Sequence, residues 1–169
     1  MNAETQVESY FAKYEAAIAK LGKALRAKLR DRLPGLLELV YFYENQDSLV
    51  ISYSPTESGP DGVCAIALYP RCVKLFFSGG AQLSKSDPNK LLQGSGKMVR
   101  YVTLSSAADF DRPEIEVLMA AALKLAKVRL DASAKGSVII KAEAQKKRAL
   151  RAKKSARPAS KRRTAKARR

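Results

Sequence analysis

Residues 63–77 read VCAIALYPRCVKLFF. Two runs of aliphatic, β-branched and aromatic residues, Val63 to Tyr69 and Cys72 to Phe77, flank the dipeptide Pro70-Arg71. Such a dipeptide between two strand-like runs marks a turn. A two-residue connection makes the runs adjacent antiparallel strands and sets their register. Tyr69 is then opposite Cys72, and Cys64 is opposite Phe77. The two thiols sit on different rungs of that ladder, too far apart for a disulfide.

Outward from this hairpin the same grammar repeats. Leu39 to Tyr43 and Leu49 to Tyr53 are strand-like runs, separated by Glu44-Asn45-Gln46-Asp47 and followed by the turn-rich stretch from Ser54 to Gly62. After a looser segment, Ser78 to Lys97, alternation resumes from Met98 to Leu104. The flanks of this strand region have a different period. Val7, Tyr10, Phe11, Tyr14, Ile18, Leu21, Leu25 and Leu29 recur at steps of three and four, which predicts amphipathic helix. Thr5 and Glu8 have capping-box spacing at its start, a break falls near Ala12 to Glu15, and Pro34-Gly35 ends it. Its other face carries Lys20, Lys23, Arg26, Lys28 and Arg30. A last helix is expected to open with Asp111 as cap and Glu114 completing the box, with Ile115, Leu118, Met119, Ala122, Ala126 and Leu130 as its apolar stripe. Strands grouped between helices indicate an α+β fold. The expectation is an antiparallel sheet of four to six strands with the N- and C-terminal helices on one face.

The charge is unevenly spread. The chain has 169 residues and a formal net charge of +16. Residues 141–169 hold 14 basic residues and one acid, a net of +13, leaving +3 for the other 140. This asymmetry divides the chain into a nearly balanced folded domain, residues 1–135, and a basic tail, residues 136–169. The tail has no aromatic residue, and Leu150 is its one large apolar residue beyond Lys141. It is expected to be disordered when free, or conditionally helical from a Ser137 cap to about Ala156 once an anion neutralises it. Its basic residues Lys146, Lys147, Arg148, Arg151, Lys153, Lys154, Arg157, Lys161, Arg162, Arg163, Lys166, Arg168 and Arg169 are the expected nucleic-acid contacts. Such a segment binds polyphosphate by counterion release, without base readout. An anionic membrane surface or a purely solubilising role are the competing uses of the same charge.

Several chemistries are excluded by composition. With no His, imidazole acid–base catalysis, His-containing triads and His metal sites are out of reach. Cys64 and Cys72 have no metal-ligand spacing, and two cysteines suit a reducing compartment. The polar N-terminus lacks the look of a signal peptide, and no apolar run approaches membrane-spanning length. The expectation is a cytoplasmic, non-enzymatic protein without cofactor or bound metal, nucleoid-associated if bacterial.

Several strings resemble one bacterial domain family. Leu33-Pro34 followed by Glu38-Leu39-Val40-Tyr41-Phe42, Val73-Lys74-Leu75-Phe76-Phe77, the stretch Leu91 to Tyr101, and Leu104 to Asp111 leading into a helix are similar to the YdhG-like family. The resemblance covers roughly residues 5–130. It implies a compact α+β domain similar in outline to frataxin, and some family members are described as intracellular iron chaperones. An iron or small-ligand carrier acting through the folded domain is therefore the alternative to a tail-borne nucleic-acid protein. Beyond Lys141 the composition resembles the basic tails of linker histones.

Three groups within the domain invite a chemical role. Gly94, Gly96, Lys97 and Arg100 form a Gly-rich, basic stretch that suits an anion. Leu91 and Met98 stand where a nucleotide-hydrolysing loop needs Gly and Ser/Thr, so a turn before the next strand is the simpler account. Asp109, Asp111, Glu114 and Glu116 have the density to hold a hard cation, yet acids also favour helix starts. Tyr41, Tyr43, Tyr53, Tyr69, Phe76, Phe77 and Tyr101 supply either core and cross-strand pairs or a pocket or stacking surface.

Overall fold

The computed structural model describes residues 2–141. Its central hairpin has the register expected from Pro70-Arg71. Strands β3 (Cys64–Tyr69) and β4 (Cys72–Phe77) pair with Tyr69 opposite Cys72 and Cys64 opposite Phe77. Both thiols are free. Strands β1 (Leu37–Tyr43) and β2 (Ser48–Ser54) precede the hairpin, β5 (Arg100–Leu104) follows it, and each sequential neighbour pairs antiparallel.

The sheet has a sixth strand, β6 (Val138–Ile140), and the order β5-β4-β3-β2-β1-β6. β6 runs parallel to β1, with Leu39 opposite Ile139, so the sheet is mixed rather than purely antiparallel. Two expectations change here. The folded unit passes the boundary drawn at residue 135 and reaches at least Lys141, whose N–H donates to Val40 O at 2.8 Å. Ser137 leads into a strand rather than capping a helix, because Val138-Ile139-Ile140 is β-branched and finds an unpaired edge on β1. Gly136 permits this entry: a Cβ there would lie 2.0 Å from Leu36 O, so no side chain fits between the incoming chain and β1. The tail residues Lys146 to Arg169, and with them the expected disorder or helix, lie outside the described residues.

Period-2 alternation sorts the strands into two faces. On one face Val40, Leu49, Ile51, Ile66, Leu68, Val73, Leu75, Val102 and Leu104 are buried. Against them pack α1 (Ala3–Phe11) through Val7 and Phe11, α2 (Ala16–Arg32) through Leu25 and Leu29, and α4 (Pro113–Leu125) through Ile115, Leu118 and Met119. Full burial of one such side chain contributes roughly 1.5–3 kcal/mol, so this one-sided layer holds the domain together. A short α3 (Gly80–Leu83) packs beside α4 on this same side, with Leu83 in the core. No described helix covers the opposite face, but the β2–β3 loop lies against Tyr41 and Ser52 there, and Leu39 and Ala67 on that face are buried.

Helix ends depart from the sequence reading. The helical break before Ala16 is present. At the start of α1, Asn2 is the cap and its Oδ1 accepts from Thr5 N at 2.8 Å, so Thr5 receives the cap instead of providing it. Asp111 does not cap α4, whose cap position is Arg112 with Pro113 in the first turn. The capping box belongs instead to Ser106 and Asp109, on a 3-10 turn at Ala107–Asp111. α4 stops at Leu125, which leaves Ala126 and Leu130 out of its buried stripe. The stop is a left-handed residue at Lys127 (φ 55°), with Lys127 N–H donating to Lys124 O at 3.1 Å and Val128 N–H to Leu123 O at 3.1 Å. That is the bond pair of a Schellman cap, with Lys in the position glycine favours. Lys127→Gly should therefore stabilise the protein by about 0.5–1 kcal/mol in urea unfolding, by relieving the Cβ penalty of the left-handed backbone. An unchanged or lowered midpoint would show that this backbone is not strained.

Candidate functional site

Strand β1 places a carboxylate on the buried face. Glu38 alternates with Val40 and is 3% exposed, while its neighbours Leu37 and Leu39 point the other way. A buried carboxylate is costly unless paired and hydrogen-bonded. Arg26 of α2, 6% exposed, donates to it through Nη2 at 2.6 Å and Nε at 3.1 Å. Arg30, one helical turn on, donates through Nε at 2.9 Å and Nη2 at 2.7 Å. Tyr53, opposite Glu38 on β2, donates its hydroxyl at 3.1 Å. Glu4 of α1 closes the group, 2.9 Å from Arg26 and paired with Arg30. Two carboxylates thus meet two guanidiniums, and no buried side-chain N or O atom among the described residues lacks a partner.

The electrostatic consequences follow from this geometry. The Glu38 hydrogen bond raises the Arg30 pKa against the opposing effect of burial. Partial burial pushes the Glu4 carboxyl up, but the Arg30 hydrogen bond and the charges of Arg26 and Arg30 outweigh it and hold it below the usual range. Burial, then the adjacent Glu38 charge, holds the Tyr53 phenol well above its ordinary pKa of 10.0. The cluster forms one wall of a cavity of about 310 Å³, whose other side is Leu33 to Leu36 and the Ala134–Val138 segment entering β6. Sequence reading passed over this site. The available signal was one acid inside an apolar strand, with two arginines at helical spacing.

The basic face of α2 is largely used within the domain. Lys23 pairs with Glu8 at 2.5 Å, Lys28 with Asp111 at 2.5 Å and Arg32 with Glu116 at 2.8 Å, besides the Arg26 and Arg30 contacts. These exposed pairs contribute little stability each, but they cancel the charge a polyanion would meet. The expected acidic cluster is dispersed by the same contacts. Asp109 accepts from Ser105 N at 2.8 Å and Ser106 N at 3.0 Å, which lowers its pKa. Glu114 lies 3.7 Å from Arg112. No group of three Cys, Asp or Glu able to hold a metal ion occurs among the described residues.

Gly94, Gly96, Lys97 and Arg100 form a turn. Gln93 and Tyr101 exchange backbone hydrogen bonds at 2.7 and 3.0 Å, closing the loop between them. Gly94 has φ 107°, a conformation that L side chains rarely adopt. Arg100 donates to Val99 O at 2.9 Å and to Gly96 O, inside its own turn. The chain then enters β5 rather than a helix, and in the four-residue α3 the Ala81 N–H is already donated to Met98 O at 2.8 Å. Lys97 stays exposed. Strand β5 begins at Arg100 rather than Met98, which is 63% exposed.

The aromatic residues split by face. Tyr53 and Phe77 belong to the core. Strand parity and register put Tyr41 and Tyr43 of β1, Tyr69 of β3, Phe76 of β4 and Tyr101 of β5 on the uncovered face, all half-buried. Phe76 and Tyr101 rings lie 5.3 Å apart, and Tyr41 and Tyr43 rings are within 14° of parallel at 6.2 Å. Lys74 Nζ, on the same face, sits 4.2 Å from the Tyr101 centroid and 5.3 Å from that of Tyr69. Cys64 is fully buried and its thiol is pushed up to about 12 by burial, which removes it from thiolate chemistry at neutral pH.

No protein family, no curated protein and no solved structure matches this chain.

Two tests address the buried cluster. Glu38→Ala leaves Arg26 buried with only Glu4 to compensate it, and should cost about 3–5 kcal/mol in urea unfolding. Arg30→Ala should cost less than about 2 kcal/mol, because Arg30 is partly exposed and Glu38 keeps Arg26. Equal losses would contradict the assignment of Arg26 as the principal counter-charge. Tyr53 carries a pH signature. Its folded pKa lies above the unfolded value, so its contribution is intact below about pH 10 and is lost as pH rises beyond it. Tyr53→Phe should lower stability at pH 7 by about 1 kcal/mol through the lost hydrogen bond. It should also flatten the alkaline fall in stability, read by unfolding between pH 9 and 12.

Proposed function

We propose that this chain is a non-enzymatic protein whose folded domain is held on nucleic acid by its polycationic C-terminal segment. The carrying observation is the charge division: +13 of the net +16 falls in residues 141–169. Two features of the domain support it. The basic face of α2 is matched by Glu4, Glu8, Glu38, Asp111 and Glu116, which leaves the tail as the main cationic surface. β6, the last element among the described residues, is an edge strand of the sheet, and the basic segment follows it in sequence. Lys and Arg neutralise phosphates and release counterions, which gives affinity without sequence readout on a duplex. The alternative, an iron or small-ligand carrier, draws on the cavity beside Glu4, Arg30, Tyr53 and Lys135, whose mixed charge suits a small polar ligand better than a metal ion.

If about 6–10 of the tail charges engage phosphates, affinity for duplex DNA should fall a thousandfold or more between 50 and 200 mM salt. A chain ending at Lys141 keeps β6 and should lose retention on duplex DNA at low salt. Undiminished retention of that shortened chain would defeat the proposal.

A further inference from the structure

We propose that the uncovered face of the sheet is a stacking platform for the bases of a single-stranded nucleic acid, presented to it by the basic tail; this rests on the tail reading above. The two walls of the platform come from opposite sides of the sheet. Tyr41 stands on β1, and Tyr69, Phe76 and Tyr101 stand on β3, β4 and β5. Between them, the same face of β2 and β3 carries Val50, Ser52, Ala65 and Ala67. The β2–β3 loop lies against Ser52 and the Tyr41 hydroxyl, so Tyr41 forms the rim of the platform and the half-buried rings of Tyr69, Phe76 and Tyr101 form its open part. Lys74 stands among them, close to the rings of Tyr69 and Tyr101.

Charge and chain geometry select the occupant. Lys141 follows β6 on the side of Ile139, and Ile139 pairs with Leu39, so the tail leaves the domain at the edge carrying Tyr41. The 28 residues 142–169 have a covalent reach of at most roughly 90 Å, several times the width of the sheet. A polyanion gathered by that segment is therefore delivered across the aromatic face. Bases offer flat π faces to Tyr and Phe only when unpaired, and a cation among the rings suits the neighbouring phosphates. The tail itself holds no aromatic residue, so stacking is a property the domain adds. The expected preference is single strand over duplex, with little dependence on base identity.

The test uses the full chain, with dye-labelled oligothymidine and a duplex of equal phosphate number in fluorescence anisotropy. The comparison is wild type against Tyr41→Leu/Tyr69→Leu/Tyr101→Leu. Leu keeps apolar bulk on a strand but cannot stack. Each stacked base is worth a factor of roughly five to a hundred, so the triple variant should lose at least tenfold affinity for the single strand. Duplex affinity and the salt slope should stay unchanged. The chain has no Trp, so its intrinsic emission comes from tyrosine and should be quenched by the single strand in the wild type. Tyr101→Leu alone, checked by thermal unfolding, should show a smaller loss in the same direction and covers the case in which the triple variant misfolds. Equal affinity of wild type and folded variants for the single strand overturns the platform while leaving the tail reading intact. The same holds for a parallel loss on both nucleic acids. Failure of the wild type to bind either one overturns both.

Discussion

Glu38 is a carboxylate placed where alternation along β1 calls for an apolar side chain, and its burial constrains much of the domain. Charge in a low-dielectric interior persists only with counter-charges and hydrogen bonds supplied at fixed positions. Those come from α2 through Arg26 and Arg30 and from β2 through Tyr53, with Glu4 of α1 balancing the second guanidinium. Two helices and two strands are thereby tied to a single point. A one-residue slip of β1 would turn Glu38 to the open face and separate it from both arginines. The ion cluster thus acts on the uniqueness of the register more than on net stability, which the apolar layer supplies.

The one-sided layering has a functional counterpart. Among the described residues, all the long helices bury their stripes on the Glu38 face. Outside the part met by the β2–β3 loop, the opposite face displays its side chains without a packed helix over them. Small residues on β2 and β3 and rings on β1, β3, β4 and β5 make it a shallow aromatic surface. Meanwhile the acids of the domain are spent on its own cations, so the folded unit stays close to neutral and the long-range field comes from the C-terminal segment. The proposed nucleic-acid reading thus assigns electrostatic capture and short-range contact to different parts of one chain.

The sequence was legible where the controlling chemistry is local. A two-residue turn at Pro70-Arg71 set the β3–β4 register because loop length alone determines which residues face each other. The apolar stripes of α1, α2 and α4 were visible because helical period is a local property. Helix ends were less so. Asp111 looks like the cap of the last helix, but its carboxylate pairs with Lys28, a residue 83 positions distant in the chain. The aromatic residues carried no label of face, since half-buried and core tyrosines have the same side chain.

From the sequence alone come the α+β class, the antiparallel core of the sheet, the exclusion of imidazole chemistry and the separation of a balanced domain from a +13 extension. Each rests on composition, period or turn length, which neighbouring residues decide among themselves. Tertiary structure alone decided that Val138-Ile139-Ile140 joins the sheet in parallel, that Glu38 gathers two arginines and a tyrosine, and which face of the sheet is uncovered. These depend on partners far along the chain, and a three-residue strand or a lone acid has no meaning until the surface it meets is in place.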